Sequence, residues 1–111
     1  MSRVVLLNAL PVNAFMLSVG ERVELSVRRI SLEEARTLIT AGRVANYIRH
    51  PATVQVLNRL FGVNLTPSSE LYTYRPGDIL LIVVVTQRSL QRGQEVQVAV
   101  EDLEFYLVTL F

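Results

Sequence analysis

The hydrophobic pattern along the chain predicts mostly β-strands. Unbroken apolar runs such as Ile79–Val85 favour strands buried on both faces, and the alternation of apolar and polar residues at 23–28 favours a half-exposed strand. A turn containing proline and glycine at residues 75–78 predicts a β-hairpin between segments 70–74 and 79–85. The predicted strands are residues 3–7, 23–28, 44–48 (where helix is the alternative), 70–74, 79–85, 96–100 and 105–111.

Two segments have the spacing and end signals of helices. Ser31 opens a capping box of the form Ser-x-x-Glu, and the apolar positions after it keep helical spacing until Gly42. Pro51 favours the first turn of a second amphipathic helix that ends at Gly62. His50 therefore lies where a strand ends and a helix begins.

The order of these elements predicts a single α/β domain over residues 1–111, with a central mixed β-sheet and helices on one face. The chain has 111 residues, of which 50% are hydrophobic and 19% charged, so it can form a core and does not have the composition of a disordered segment. The many predicted strands leave an edge that a homodimer can cover.

Composition removes several classes of function. There is no cysteine and only one histidine, which excludes thiol catalysis, iron–sulfur clusters and multi-histidine metal sites within one chain. We expect no cofactor and no metal. The longest apolar run is far shorter than the ~20 residues of a membrane-spanning helix, so we expect no membrane partner and a cytoplasmic location.

The charge is nearly balanced but unevenly distributed. The formal net charge of +1 gives no overall basic footprint for long nucleic acid. Residues 1–59 nevertheless carry eight arginines and four glutamates, so any basic partner surface lies in this part. All 11 cations are arginines, a hint of a GC-rich or thermophilic source.

The junction before the second helix has the residues of a phosphate site. Backbone amides at a helix N-terminus bind anions, and Arg49 and Thr53 add a cation and a hydroxyl there. A bound phosphodiester favours the protonated imidazole of His50, which is the form that a general acid needs. The alternative is a histidine that only caps the helix or packs.

A second polar cluster follows the most hydrophobic strand. Gln87, Arg88, Gln91 and Arg92 combine two guanidinium groups with two amides, which suit phosphate and adenine edges. The alternative is a solvated loop between strands.

Two asparagines and two tyrosines complete the candidate set. Asn8 and Asn13, near the end of the first strand, can present amides to a ligand or close turns. Tyr72 and Tyr74 can pack across strands or stack on bases.

Several short motifs follow one another along almost the whole chain. They are Leu7-Asn8-Ala9, residues 31–35, residues 47–53 running into 60–63, Pro76-Gly77-Asp78, and Thr86-Gln87-Arg88 with Gly93. In order and spacing they resemble the viral anti-CRISPR ring nucleases that act on type III systems, small proteins of archaeal viruses, phages and some bacteria.

The resemblance implies a homodimer that binds the second messenger cyclic tetra-adenylate in a basic cleft and cleaves it without metal. His50 would protonate the departing ribose 5′-oxygen while the adjacent 2′-hydroxyl attacks, leaving a 2′,3′-cyclic phosphate. Arg88 would hold the scissile phosphate, and Asn8 and Asn13 would contact the ligand. The chain departs from the family pattern at residues 89–93, which contain no acid. A sponge that binds the ring without turnover and a small viral nucleic-acid-binding protein of the same fold are therefore the alternatives.

Overall fold

The computed structural model describes residues 3–86 and 100–110. Within them, five strands form one mixed sheet in the order β2-β5-β4-β1-β3, and two α-helices pack on one face. The strands are β1 (Val4–Leu7), β2 (Leu25–Ile30), β3 (Val44–Asn46), β4 (Ile79–Val85) and β5 (Leu103–Leu110), the α-helices are α1 (Leu32–Thr40) and α2 (Pro51–Phe61), and short 3-10 helices span Val12–Phe15 and Val100–Asp102. The predicted α/β architecture is confirmed.

Strand direction decides where a ligand site can form. β1 pairs in parallel with both β3 and β4, and β5 runs antiparallel to β4 and β2. All four residues of β1 are buried, as its unbroken apolar sequence predicts for a central strand. The carboxyl ends of β1, β3 and β4 therefore meet at one edge of the sheet, called here the carboxyl edge, where open α/β sheets commonly bind ligands.

The two faces of the sheet are covered differently. On one face, Leu6 and Leu81 pack against α1 and α2 through residues such as Ile39 and Leu57. On the other face, no α-helix from the described residues contributes to the core cluster, which contains Ala14 of the first 3-10 helix and Tyr72 together with Val5, Leu7, Leu80, Ile82 and Val108. A 3-10 helix and a segment without regular structure thus complete the core on the face opposite the α-helices.

The helix ends follow the sequence signals. The hydroxyl of Ser31 accepts a hydrogen bond of 3.1 Å from the amide of Glu34, which confirms the capping box. Gly62 ends α2 with φ +66°, and its amide donates to the carbonyl of Asn58 at 2.9 Å. His50 occupies the N-cap position of α2, but its side chain makes no capping hydrogen bond.

The predicted hairpin is wrong. Segment 70–74 forms no strand, because β4 already has β1 on one side and β5 on the other. The segment lies on the face opposite the α-helices instead, where Tyr72 joins the core cluster and Tyr74 packs on Phe15 with ring centroids 5.5 Å apart. Its alternating tyrosines are typical of a strand, but they serve packing onto a sheet face.

Other boundaries shift by a few residues. β2 begins at Leu25 rather than at residue 23, and β3 ends at Asn46 rather than at residue 48. β3 stops because the side chain of Asn46 accepts from the amide of Ile48 at 3.1 Å, which turns the chain out of the ladder. β5 begins at Leu103, and Val100 lies in a 3-10 turn, while Val96 and Val98 lie outside the described residues.

No helix among the described residues is long and apolar enough to cross a membrane.

Candidate functional site

A cleft of about 860 Å³ lies at the carboxyl edge of the sheet. One wall is the chain that follows β1, from Leu7 to Ala14 with Met16. A second wall comes from Tyr47, Arg49 and His50, between β3 and α2, and a third is segment 70–73. The cleft therefore forms where two parallel strands end and a loop crosses beside them.

The cleft collects four of the residues predicted from the sequence. Asn8, Asn13, Arg49 and His50 all line it, and all four are exposed. Their side chains make no hydrogen bond or ion pair with any other described residue. Two amides, a guanidinium group and an imidazole are thus free to contact a ligand in one cavity.

Thr53 does not belong to this group. We predicted its hydroxyl beside Arg49, but it is only 4% exposed and does not line the cleft. The reason is the rotation of α2, which places Thr53 on the same buried side as Val54 and Leu57.

The second predicted polar cluster follows β4 along the chain. Gln87, Arg88, Gln91 and Arg92 lie outside the described residues. The strand that precedes them, β4, ends at Val85, on the same edge of the sheet as the cleft.

Tyr47 and Tyr72 form an aromatic pair in the wall of the cleft. Their ring centroids are 5.1 Å apart in an edge-to-face arrangement, with the planes at 65°. Both residues line the cleft, and Tyr72 is 8% exposed. The sequence analysis considered Tyr72 for packing or stacking and did not single out Tyr47, because nothing in the sequence shows that the two meet.

A buried carboxylate anchors this pair. Asp78 accepts from Arg3 Nε at 2.9 Å and from the hydroxyl of Tyr72 at 2.5 Å, and its side chain is 5% exposed. Burial alone would raise the pKa of Asp78, but the hydrogen bonds from Arg3 and Tyr72 outweigh it and lower the pKa. Burial, and next the hydrogen bond to Asp78, raise the pKa of the Tyr72 hydroxyl, so Tyr72 stays a neutral donor. Asp78 thus fixes the cleft wall as well as closing the turn predicted for it.

Segment 66–68 is tied to the chain between β3 and α2. The side-chain amide of Asn46 donates to the carbonyl of Thr66 at 2.8 Å. The amide of Ser68 donates to the carbonyl of Ile48 at 3.0 Å. These contacts hold the start of the third wall beside the residues that lead into Arg49 and His50.

Glu70 is the one carboxylate among the described residues that line the cleft. It is exposed, and its side chain forms no ion pair or hydrogen bond within residues 3–86 and 100–110. No sequence pattern indicated Glu70, because its position depends on the path of a segment that forms no strand. No group of three or more His, Cys, Asp or Glu side chains in this part of the chain is placed to hold a metal ion.

Three apolar residues that line the cleft are exposed. Val12, Met16 and Leu71 are 62%, 74% and 83% exposed. Met16 also has φ +51°, in the left-handed region that non-glycine residues rarely adopt. Exposed apolar side chains beside a cleft suit a ligand or a partner that covers them.

The start of α2 adds an electrostatic contribution to the cleft. His50 is its N-cap, so the helix axis begins at the cleft wall. Because the His50 side chain leaves the first-turn amides uncapped, these amides and the helix dipole favour an anion. Together with Arg49, the arrangement suits a phosphate group.

Comparison with known proteins identifies relatives of the fold. A family model described as STIV B116-like matches residues 4–107. Among solved structures, B116 of Sulfolobus turreted icosahedral virus (STIV) matches with a TM-score of 0.67 and 24% sequence identity, over 96% of this chain and 98% of that chain. The search of curated proteins found no match.

Proposed function

The chain belongs to the STIV B116-like family, and from that premise and the geometry of the cleft we propose that it binds cyclic tetra-adenylate and cleaves it without metal. The observation that carries the proposal is the convergence of Asn8, Asn13, Arg49 and His50 in one cavity at the carboxyl edge. Two amides suit adenine edges, and a guanidinium group beside a helix N-terminus suits phosphate. The cleft therefore offers groups for both parts of an adenylate.

The proposed reaction is transesterification within RNA. A ribose 2′-hydroxyl attacks the adjacent phosphorus, and His50 gives a proton to the departing 5′-oxygen. Arg49 and the first amides of α2 stabilise the charge on the phosphate. Arg88, outside the described residues, is proposed to hold the scissile phosphate. The products are linear and end in a 2′,3′-cyclic phosphate.

We propose that the active form is a homodimer. The exposed apolar side chains of Val12, Met16 and Leu71 beside the cleft support this, since a second copy placed there removes apolar surface from water. Cyclic tetra-adenylate has a fourfold ring, so one ring can contact equivalent residues of two protomers. In this proposal the protein acts in the cytoplasm of a host cell, where loss of the messenger antagonises type III CRISPR immunity.

The test is incubation of the protein with an excess of radiolabelled cyclic tetra-adenylate in EDTA. Conversion over many turnovers to products ending in a cyclic phosphate supports the proposal. An intact ring that migrates with the protein on a native gel contradicts turnover and favours a sponge. Neither binding nor cleavage contradicts both, and tight, steeply salt-dependent binding of linear RNA or DNA then favours a nucleic-acid-binding protein.

A further inference from the structure

We propose that Glu70 is the proton acceptor of the cleft and acts as the partner of His50 in cleavage. This inference rests on the proposed function. Attack by a 2′-hydroxyl releases a proton at the nucleophile, and departure of the 5′-oxygen consumes one. A cleft that performs this reaction therefore needs an acceptor as well as a donor.

Few described groups of the cleft can accept that proton. A guanidinium group has no lone pair to accept a proton, which excludes Arg49, and the hydroxyl of Tyr72 stays neutral because burial and Asp78 raise its pKa. Asn8 and Asn13 are amides and do not take up protons near neutral pH. His50 is assigned to the donor. Among the described lining residues, Glu70 is the carboxylate that remains.

A backbone hydrogen bond ties the segment that leads to Glu70 to the segment that leads to His50. The amide of Ser68 donates to the carbonyl of Ile48 at 3.0 Å. Glu70 lies two residues beyond Ser68, and His50 lies two residues beyond Ile48. The amide of Glu70 also donates to the hydroxyl of Ser68 at 3.2 Å, which fixes the turn between them.

The side chain of Glu70 is nevertheless not neutralised by its neighbours. It forms no ion pair with Arg49 or His50, although all three line the same cleft. Acids elsewhere, such as Asp78 and Glu34, are paired with arginines. The carboxylate and the two nitrogen-bearing side chains thus line one cavity without pairing with one another, so Glu70 is free to accept a proton while His50 donates one.

Protons and bonds balance in the proposed step. The O2′–P bond forms while the P–O5′ bond breaks. Glu70 takes the proton from O2′, and protonated His50 gives one to O5′. Afterwards Glu70 is protonated and His50 is neutral, and exchange with water restores both without net uptake of protons.

The test compares Glu70→Gln and Glu70→Asp with Glu33→Gln. Glu33 is an exposed acid on α1 that does not line the cleft, so its variant controls for the change in charge. Single-turnover rates are measured against pH for cyclic tetra-adenylate. Binding is measured with the 2′-O-methylated ring, which cannot attack. Arg49, His50, Tyr47 and Tyr72 line the same cleft as Glu70 and are unchanged in every variant.

We expect Glu70→Gln to lower the rate by about 10²- to 10⁴-fold and to abolish the fall in rate towards acidic pH. Binding of the methylated ring stays equal or tightens, because a negative charge near phosphate is lost. Glu70→Asp restores part of the rate, and Glu33→Gln matches the parent. Parental cleavage by Glu70→Gln, or loss of binding together with rate, overturns the inference alone. A parent protein that does not cleave overturns the proposed function and this inference together.

Discussion

Removing the Tyr72 hydroxyl tests whether Asp78 anchors the cleft wall. Tyr72→Phe keeps the edge-to-face contact with Tyr47 and deletes one hydrogen bond of 2.5 Å to a buried carboxylate. Hydrogen bonds to charged groups contribute about 1.5–3 kcal/mol. Asp78 keeps its two bonds from Arg3 in the variant, so we expect the lower part of this range, about 1.5–2 kcal/mol in the free energy of unfolding.

The control is Tyr106→Phe, which deletes a similar bond. The hydroxyl of Tyr106 donates to Glu104 at 2.7 Å, but Tyr106 is only half-buried and does not line the cleft. We expect its loss to lower the free energy of unfolding by about 0.5–1 kcal/mol, because the freed groups reach water.

Urea unfolding followed by tyrosine fluorescence and far-UV circular dichroism measures both variants. At this chain length, the expected loss for Tyr72→Phe corresponds to a decrease in Tm of about 6–8 °C. Hydrogen exchange adds a local measurement, with faster exchange expected in segment 68–74 than in β4. A Tyr72→Phe protein as stable as Tyr106→Phe, with unchanged exchange in segment 68–74, would refute the reasoning.

Three further predictions concern stability. The pKa of Asp78 is lowered in the folded protein, so its stabilising contribution is present above the unfolded pKa near 3.8 and is lost as pH falls through the folded value. Asp78→Asn should therefore make the urea midpoint less dependent on pH below roughly 4.5. An unchanged pH dependence of the midpoint contradicts this. Ser31→Ala removes the cap of α1 and should cost about 1 kcal/mol in urea unfolding, whereas Ser26→Ala, on an exposed strand position, should cost less. Gly62→Ala places a side chain at φ +66° and should destabilise by about 1 kcal/mol, so a neutral result contradicts the left-handed end of α2.

Local signals made the sheet and helices predictable. A few neighbouring residues are enough to predict these elements, as the apolar runs of β1 and β4 and the capping box at Ser31 show. Segment 70–74 could not be placed in this way, because Tyr72 and Tyr74 alternate like a strand. Its position follows from packing and a backbone hydrogen bond to Ala14, which is far from it in the sequence, so no local pattern reveals it.

The candidate site residues that lie at the ends of strands or helices could be predicted from the sequence. His50 and Arg49 precede a proline-initiated helix, and Asn8 follows a buried strand, so the carboxyl edge brings them together. Glu70 was missed because no pattern around it indicates a boundary. Thr53 was misplaced because α2 is oriented so that this position lies on its buried side, and the sequence did not show that orientation.

The most direct test of the central claim compares His50→Ala with the parent protein in single-turnover cleavage of cyclic tetra-adenylate in EDTA. We expect a rate lower by about 10²- to 10⁴-fold, with binding of the 2′-O-methylated ring retained, because the imidazole donates a proton only as the 5′-oxygen departs. Cleavage by His50→Ala at the parental rate would contradict this role, since His50 would then not be the proton donor.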